Sequence, residues 1–545
     1  MTLLVPLRHQ PPLPLDRLIR PDPPGDDAIE LDVLFVGAGP AGLAGAIELA
    51  TLAKRSGREL AIGVLEKAGA LGEHSLSGAV VNPRVFRELF PELSDGEFPF
   101  RRKVEREEVR FLTRRGGFRI PTPPTMRNHG NYVASLSEIV RWLGARAEAL
   151  GVNLFAGFPA AALLVDGRRV RGVRTAPAGL DRSGAPGEGY QPPTELTARV
   201  TVLAEGTRGA LSQAWLAWQG VGSPNPQIYA LGVKEVWRVP RPLDRVVHTL
   251  GWPVPLDAFG GTFLYPMAED QVALGIVAGL DAGSAAFDVH ELLQRLKLHP
   301  FFRRLLEGGE LLEWGAKTIP EGGYWSLPER ASGDGIILAG DCAGFVDVAS
   351  LKGIHYAMQS GLFAARTTFE ALERGDPSAA ALGGYDRLVR ESYLVKDLKR
   401  TRNMRLVFKH GAVLAGLENA LLTLTRGGFP GWRIAAGEDA AHPRVREAAE
   451  PFVPDGKLSF SKLDAVFKSG NATRDTIPSH LLVGPDIGPE LADFYAHVCP
   501  AGVYERTATG LRVNPPNCVD CKATDVLGPR WLPREGGSGP KYRLM

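Results

Sequence analysis

The segment LDVLFVGAGPAGLAGAIELATLAKRSGRELAIGVLEKA (residues 31–68) decides the fold. It begins with the apolar run DVLFVG, passes through three glycines, continues into a stretch rich in alanine and leucine, and ends with a second apolar run, LAIGVLE. Apolar runs of this kind are typical of strands that are buried on both faces of a parallel sheet. The segment therefore predicts a strand–helix–strand unit of a parallel α/β sheet.

The three glycines, Gly37, Gly39 and Gly42, have the spacing of a dinucleotide-binding turn. The first makes the tight turn, the second lets the backbone approach a pyrophosphate, and the third lets helix and strand pack closely, with the helix N-terminus facing the anion. Glu66, at the end of the second strand, is placed to accept hydrogen bonds from the ribose hydroxyls of an adenosine. Together these features predict a bound dinucleotide, whereas the glycine spacing alone also suits a structural turn.

A second segment favours FAD over NAD as that dinucleotide. GIILAGDCAGFVDVASLKGIHYAMQSGLFAA (residues 335–365) reads as a strand, the pair Gly340-Asp341, a loop, and a helix that begins near Gly353. Asp341 is placed to bind ribityl hydroxyls, and the positive end of the helix would face the flavin pyrimidine oxygen. A flavin fold needs this return of the chain, and the sequence has no second glycine motif for a resident NAD(P)H. The alternative is an ordinary strand–turn–helix with a surface aspartate.

The expected fold class is α/β, α+β overall, with a Rossmann-like FAD domain. The chain has 545 residues, of which 44% are hydrophobic, and is long enough for two to four domains. Alternating apolar segments after residue 215 predict an antiparallel sheet in a second domain. The expected units are an N-terminal arm (1–30), the FAD-binding domain (31–215), the antiparallel-sheet domain (216–330), a helical closure of the FAD domain (331–440), and a cysteine-bearing domain (441–545).

Bulk properties exclude some classes of function. The formal net charge is only +2, which argues against a general nucleic-acid binder. No run of about 18 uninterrupted apolar residues predicts a spanning helix. The proline-rich N-terminus resembles neither a signal peptide nor a transit peptide. These features lead us to expect a bacterial protein on the cytoplasmic side.

A short helix near residues 411–426 is a candidate for contact with lipid. It follows the basic segment KDLKRTRNMRLVFKHG (396–411), and an apolar stripe beside basic residues suits an interfacial helix on anionic lipid. From periodicity alone, a core helix is the competing interpretation. The proline-rich loop at 114–132 is a second candidate for the same surface. The stripe consists of Val413, Leu414, Leu417, Ala420, Leu421 and Leu424.

Three of the four cysteines, Cys499, Cys518 and Cys521, lie within the last 50 residues. Thiolates at this density bind zinc or an iron–sulfur cluster. His497 is close enough in sequence to complete a Cys₃His zinc site. The remaining alternative is three unrelated cysteines.

Taken together, these motifs resemble the electron transfer flavoprotein–ubiquinone oxidoreductase family along nearly the whole chain. The stretches that carry the resemblance are DVLFVGAGPAGLA, EKAGALGEHSLSGAVVNP, MRNHGNYVASL, ALGVKEVW, VVHTLGWP, GGTFLYPM, LKGIHYAMQSG, HVCPAGVYE and NCVDCK.

The resemblance implies a FAD domain, a quinone-binding domain and a ferredoxin-like domain, with one FAD and one [4Fe-4S] cluster. It implies a monotopic enzyme that oxidises reduced electron transfer flavoprotein and reduces ubiquinone or menaquinone. By position, Ser77-Gly78 match the loop near the isoalloxazine, Lys352-Gly353 its far end, and Gly260-Gly261 a segment associated with the quinone. The loop at 114–132 and the helix at 411–426 are then expected to face the membrane.

One departure from the family concerns the cluster. The family has a fourth cysteine where this chain has Thr524, and a hydroxyl is a poor iron ligand beside three thiolates. Two alternatives follow: a [3Fe-4S] cluster, which needs only three thiolates, or a [4Fe-4S] cluster whose last iron is held by Asp525, water or hydroxide.

The sequence therefore predicts electron transfer from electron transfer flavoprotein to the quinone pool at the cytoplasmic face of a bacterial membrane. One rival is a FAD monooxygenase or prenyl reductase, which does not explain the cysteine-bearing tail. The other is a flavin-binding scaffold subunit of a larger electron-transfer complex.

Overall fold

A computed structural model describes residues 3–78, 80–447, 449–508 and 510–545. The predicted strand–helix–strand unit is present. The strands Ile29–Val36 and Ile62–Glu66 pair in parallel, and the helix Pro40–Ser56 joins them. Proline at the first helical position and Gly57 in the left-handed conformation at the end (φ 70°) bound the helix.

This unit lies at the centre of the first sheet. The long strand Glu195–Leu203 pairs in parallel with both Ile29–Val36 and Ile336–Leu338, so the downstream segment does return to the dinucleotide unit. In spatial order the sheet runs Asn153–Ala156, Ile62–Glu66, Ile29–Val36, Glu195–Leu203, Arg169–Thr175, Ala160–Asp166 and Ile19–Arg20, with Ile336–Leu338 and Ser332–Gly333 beside the far half of Glu195–Leu203.

The helices Pro40–Ser56 and Ile354–Glu373 approach each other closely because both carry glycine at the crossing. A Cβ built on Gly361, in the helix Ile354–Glu373, would lie 2.1 Å from the Ala41 carbonyl oxygen. A Cβ on Gly45 would lie 3.0 Å from the Gly361 carbonyl oxygen. The chain segments that form the two ends of the expected flavin site are thereby packed against one another.

The second sheet is mostly antiparallel, as expected, but its boundary differs from the expected one. The strands Glu107–Leu112 and Gly117–Ile120 belong to it, although both lie within the range assigned to the FAD domain. The pairing of Glu107–Leu112 with Val246–Gly251 is parallel. An excursion of the chain out of the first domain cannot be recognised from a local pattern. In spatial order, the strands of the second sheet are Glu310–Pro320, Tyr229–Arg238, Gln271–Gly279, Gly260–Ala268, Val246–Gly251, Glu107–Leu112 and Gly117–Ile120.

The region expected as a loop at 114–132 therefore contains an edge strand, in which Phe118 is 58% exposed. Smaller strand pairs complete the fold. They are Val80–Val81 and Phe100–Lys103 with Tyr132–Ala134, Ala178–Leu180 with Pro186–Gln191, Leu481–Leu482 with Arg530–Trp531, and Tyr504–Thr507 with Gly510–Val513.

The N-terminal arm is tied to the rest of the chain. Leu3–Leu4 pairs with Arg444–Val445, and Ile19–Arg20 adds a strand to the first sheet. The C-terminus returns to the FAD domain, where the Met545 carbonyl oxygen accepts hydrogen bonds from the Ser135 hydroxyl and the Ser137 N–H. The two termini thus hold the last hundred residues against the flavin-binding unit.

Helices cover the sheets, and four of them lie within residues 331–440, where a helical stretch was expected. None in the described ranges has the length and apolar character needed to cross a bilayer. Besides the two named above, they are Leu15–Leu18, Arg84–Leu89, Leu136–Ala149, Ala210–Gln219, Val289–Lys297, Pro300–Leu306, Ala379–Glu391, Tyr393–Arg400, Ala412–Leu424, Lys462–Lys468, Pro489–Val498 and Ala523–Leu527.

Candidate functional site

The glycine turn has the geometry that its spacing predicts. Gly37 has φ 109°, and a Cβ there would lie 2.4 Å from the carbonyl oxygen of Ala204. A Cβ on Gly42 would lie 2.0 Å from the Gly37 carbonyl oxygen, whereas one on Gly39 would meet nothing within 4 Å. Gly37 and Gly42 are therefore required by the fold itself, and Gly39 leaves open backbone where a pyrophosphate would approach.

Glu66 lies at the edge of this turn. Its carboxylate accepts hydrogen bonds from the N–H groups of Ala38, at 3.1 Å, and Ala68, at 2.8 Å. Burial raises its pKa, against the lowering effect of these bonds and of Lys67. The acid expected to bind the ribose thus lies directly beside the glycine loop.

The downstream pair Gly340-Asp341 lies at the start of the helix Ile354–Glu373. A Cβ on Gly353 would lie 3.8 Å from Oδ1 of Asp341, so this carboxyl group faces the helix N-terminus. Burial raises the pKa of Asp341 to about 6, opposed by the Lys317 ammonium. Lys352 is buried and donates to the Ser350 carbonyl oxygen at 2.8 Å. Burial lowers its pKa to about 8.

The loop at Ser77-Gly78 meets the second sheet. The Lys234 ammonium donates to the Ser77 carbonyl oxygen at 2.9 Å, and a Cβ on Gly78 would touch the rings of Phe263 and Tyr265 at 3.8 Å. The two rings stack with centroids 4.8 Å apart. The structure thereby brings the expected isoalloxazine loop to the sheet that carries the expected quinone segment.

Gly260-Gly261 begin the strand Gly260–Ala268, which also carries Phe263 and Tyr265. A Cβ on Gly261 would lie 2.8 Å from the Thr249 carbonyl oxygen, so strand packing alone already explains this glycine. Further along, the Tyr265 hydroxyl lies 2.8 Å from Nε2 of the buried His248.

Lys234 and Tyr265 were not predicted as site residues. Lys234 is 1% exposed, and burial lowers its pKa to about 7. The sequence does mark Lys234, because the adjacent charged residues Lys234 and Glu235 inside the apolar run YALGVKEVW are unusual for a buried strand. Tyr265 gave no comparable signal.

The three clustered cysteines are buried and free. Cys499, Cys518 and Cys521 are 4%, 8% and 8% exposed. Burial, followed by the Asp520 carboxylate, raises the pKa of Cys518 to about 12. The pKa of Cys521 is raised by burial and by Cys499 and Cys518. Buried thiols that raise one another's pKa suit a metal centre, because coordination deprotonates a thiol and neutralises the charge. The donor set therefore fits an iron–sulfur cluster.

The fourth cysteine, Cys342, lies elsewhere. Its thiol donates to the carbonyl oxygens of Leu203, at 3.2 Å, and Ala339, at 3.1 Å, at the end of the parallel strands. It belongs to the flavin unit and not to the cluster of thiols.

Thr524, at the family's fourth cysteine position, is 8% exposed, and its hydroxyl lies 3.4 Å from that of Tyr504. Asp525 does not suit the role of replacement ligand. Its Oδ2 lies 2.6 Å from Arg208 Nε, and its Oδ1 accepts from the Trp531 N–H at 2.9 Å. Both carboxylate oxygens are hydrogen-bonded, so Asp525 connects the cysteine-bearing segment to the loop that carries Arg208.

The zinc alternative with His497 gains no support, because Nδ1 of that ring faces Oδ2 of Asp288 at 3.8 Å. Among the described residues, His480, Cys518 and Asp520 instead bring a ligand atom each within 4.8 Å of one another. His480 and Asp520 could not be predicted as ligands from the sequence, since neither has ligand spacing of its own.

Asp520 is a buried carboxylate close to the thiols. It accepts from Lys67 Nζ at 2.5 Å, Arg534 Nη2 at 2.9 Å and Trp531 Nε1 at 3.0 Å. Burial would raise its pKa, but Arg534 and Lys67 hold it well below the ordinary value. Asp520 therefore carries a full negative charge between Cys518 and Cys521.

The helix Ala412–Leu424 is not a core helix. Leu414, Leu417 and Leu424 are 56%, 68% and 81% exposed, while Ala415 and Leu422 on the opposite face are buried. The aromatic side chain of Trp432 follows at 65% exposure. Leu421 and Ala420 are also exposed, and the side chain of Val413 lies outside the described residues.

The folded chain thus defines a class. A dinucleotide-binding sheet, a return segment with a Gly-Asp pair and a buried thiol cluster make this a flavin-dependent oxidoreductase with an iron–sulfur domain. The sequence model described as "ETF-QO, ubiquinone-binding" matches residues 229–319, and that described as "Electron transfer flavoprotein-ubiquinone oxidoreductase, 4Fe-4S" matches residues 456–543. The chain belongs to the electron transfer flavoprotein–ubiquinone oxidoreductase family, and as a member it holds FAD and an iron–sulfur cluster.

Three relatives illustrate the match. The mitochondrial electron transfer flavoprotein–ubiquinone oxidoreductase of Oryza sativa is 36% identical over 96% of this chain and 94% of its own. The Arabidopsis thaliana protein is 37% identical over 95% and 85%, and the Homo sapiens protein is 35% identical over 95% and 90%.

Solved structures match the fold of part of the chain. A geranylgeranyl bacteriochlorophyll reductase-like protein from Thermoplasma acidophilum is 19% identical, with a TM-score of 0.54, over 74% of this chain and 97% of its own. The myxobacterial chondrochloren halogenase is 20% identical, with a TM-score of 0.51, over 74% and 91%.

Proposed function

We propose that the protein passes electrons from reduced electron transfer flavoprotein to a quinone at a membrane surface, through FAD and its iron–sulfur cluster. The single observation that carries the proposal is the attachment of the thiols to the flavin unit. Lys67, next to Glu66, binds Asp520, and Lys522, next to Cys521, donates to the backbone carbonyl oxygens of Thr207 and Arg208 in the loop after the strand Glu195–Leu203. Single-electron transfer between protein-bound centres requires such proximity of the two sites.

The cofactors supply the redox chemistry: the cluster exchanges single electrons, and FAD converts between one-electron and two-electron transfer. Quinone takes up two electrons and two protons to become quinol. The chain's own groups near the Ser77-Gly78 loop would bind and orient the quinone head. Lys234 and the His248–Tyr265 pair are polar groups of this part of the sheet that would bind a quinone oxygen and supply protons.

The exposed face of the helix Ala412–Leu424 supports attachment to the membrane. Its leucines and Trp432 would lie in the acyl–headgroup boundary, and the exposed cations of the preceding basic segment, Lys396, Lys399 and Arg400, would meet anionic lipid. We place the protein on the side of the membrane that faces the soluble donor, in a bacterium the cytoplasmic face. The names of the curated relatives above place those proteins in mitochondria.

With Asp525 engaged by Arg208, we propose a cluster bound by three thiolates. Electron paramagnetic resonance on anaerobically purified protein tests this. A signal in the oxidised protein identifies a [3Fe-4S] cluster, whereas silence followed by a signal on reduction identifies a [4Fe-4S] cluster with a non-protein ligand. Thr524→Cys should replace a signal in the oxidised protein by one that appears only on reduction. The absence of an iron signal in either state would refute the electron relay.

The electron-transfer function itself is tested with reduced electron transfer flavoprotein and a short-chain quinone. Quinone-dependent oxidation of the donor supports it. Rapid oxidation of NADPH by the pure protein would favour the monooxygenase or reductase alternative, and failure to reduce quinone with both cofactors bound would favour the scaffold.

A further inference from the structure

Lys317 lies in the edge strand Glu310–Pro320 of the second sheet, opposite Gly232. Its ammonium donates to the backbone carbonyl oxygen of Asp520 at 3.2 Å. The next residue, Thr318, donates its N–H to the Cys521 carbonyl oxygen at 3.0 Å. Two consecutive residues of one strand thus hold the backbone of the turn that presents the second and third thiols.

The same two residues reach the flavin unit. The Thr318 hydroxyl lies 3.1 Å from that of Thr207, in the loop that follows the strand Glu195–Leu203. Asp520, which Lys317 holds, binds Lys67 directly after Glu66. Lys317 is therefore in contact with a network that belongs to both the flavin site and the thiol site.

The cations around this turn have different partners. Lys67 and Arg534 share the carboxylate of Asp520. Lys522 donates to the backbone carbonyl oxygens of Thr207 and Arg208. Within the described part of the chain, Lys317 forms no direct ion pair with a carboxylate. Its half-buried ammonium binds a backbone oxygen and interacts at longer range with the carboxyl groups of Asp520, Glu66 and Asp341.

We propose that Lys317 is a positioning residue that couples the two redox centres electrostatically. An ammonium in a low-dielectric region stabilises any neighbouring group that gains negative charge. Reduction adds an electron to the cluster and to the flavin, so Lys317 favours the reduced form of each. Its bond to Asp520 keeps the thiol-bearing turn within reach of the flavin unit.

The test is a potentiometric titration of holoprotein at constant pH, with the cluster followed by electron paramagnetic resonance and the flavin by absorbance. Lys317→Met should shift the reduction equilibrium of the cluster at least tenfold toward the oxidised form, which is 59 mV for a one-electron couple. The flavin should shift in the same direction. Lys317→Arg keeps the charge and should leave both potentials near those of the wild type.

Lys54→Met, at an exposed position late in the helix Pro40–Ser56, is the matched control and should shift neither centre. Unchanged potentials in Lys317→Met would overturn the proposal, and so would a shift confined to the cluster. An equal shift in Lys317→Arg would also overturn it, since geometry and not charge would then be the cause. If the methionine variant loses a cofactor, Lys317→Gln provides the same comparison.

This inference rests on the two bound cofactors of the proposed function, but not on the identity of the donor or the quinone. Electron transfer to quinone by a variant with unchanged potentials would refute the role of Lys317 and leave the proposed function standing. A wild-type protein that holds both cofactors and does not reduce quinone would refute the proposed function and leave the role of Lys317 standing.

Discussion

Arg208 and Asp525 form a buried ion pair, with Nε of the guanidinium 2.6 Å from Oδ2 of the carboxylate. Arg208 follows the loop that closes the flavin sheet and has a left-handed φ of 42°. Asp525 lies in the short helix Ala523–Leu527, which carries Thr524. The pair therefore locks the thiol-bearing segment onto the flavin unit, and binding of iron by Asp525 would break it.

Asp525→Asn should destabilise the protein without changing the type of cluster. Removal of one partner leaves the buried Arg208 guanidinium unpaired, a change that costs about 3–5 kcal/mol in other proteins. A lower midpoint of thermal unfolding, with the electron paramagnetic resonance signal of the wild type, is expected. Asp493→Asn, which breaks an exposed pair with Arg506 in the same region, should change the midpoint little. A cluster signal in Asp525→Asn that differs from that of the wild type would show that this carboxylate is a ligand of the cluster.

The cysteines should fall into two groups when each is replaced by alanine. Cys521→Ala should abolish the cluster, so that iron content and the cluster signal disappear while the flavin absorbance remains. Cys342→Ala is the control because its thiol lies apart from the other three and donates to the backbone oxygens of Leu203 and Ala339. It should retain the full iron content. Loss of iron in both variants would mean that misfolding, and not coordination, accounts for the first result.

Gly42→Ala should prevent FAD binding. The added methyl group would lie 2.0 Å from the Gly37 carbonyl oxygen, so the glycine loop must open at the point where the pyrophosphate binds. Gly383→Ala is the matched helical control, since a Cβ there meets nothing within 4 Å. It should stabilise the protein by about 0.5–1 kcal/mol and keep the flavin. The flavin-to-protein ratio of the purified variants measures the difference, and a normal ratio in Gly42→Ala would contradict the assignment of the loop.

Local sequence patterns predicted the parts of the fold that depend on contacts between residues close together in the chain. Gly37 and Gly42 are fixed by steric contacts within a few residues, and the exposed leucines of the helix Ala412–Leu424 follow helical spacing. The roles of Asp525 and His497 could not be predicted, because their partners, Arg208 and Asp288, lie hundreds of residues away. The strands at 107–120 join the second sheet for the same reason: long-range pairing leaves no mark on local periodicity.

Acid should weaken the attachment of the cysteine-bearing domain through Asp288. Burial alone would raise the pKa of this carboxyl group, but the Lys462 ammonium, 2.6 Å away, holds it well below the ordinary value. A depressed carboxyl pKa contributes stability that is fully present above the unfolded-state value, about 3.9, and is lost as the pH falls further.

Asp288→Asn keeps a good helix N-cap while removing the charge. The variant should be less stable than the wild type at neutral pH, and the difference should shrink as the pH falls below about 4. Thermal unfolding between pH 3 and pH 7 measures this. The exposed Asp270→Asn serves as the control, because its pair with Arg238 is largely solvated. A constant difference across the range would exclude the ion pair as its source.

Replacement of exposed leucines should release the protein from lipid. Leu417 and Leu424 are 68% and 81% exposed, and burial of each in the membrane interface would contribute roughly 1.5–3 kcal/mol. Leu417→Glu with Leu424→Glu should therefore lower partitioning into anionic vesicles more than tenfold, as measured by sedimentation. Reduction of a water-soluble quinone analogue should be unaffected, since both leucines lie on the exposed face of the helix Ala412–Leu424. Phe467→Glu, 84% exposed on the helix Lys462–Lys468, is the matched control. If it releases the protein equally, attachment is not specific to the helix Ala412–Leu424, and if neither variant is released, the membrane-binding surface lies elsewhere.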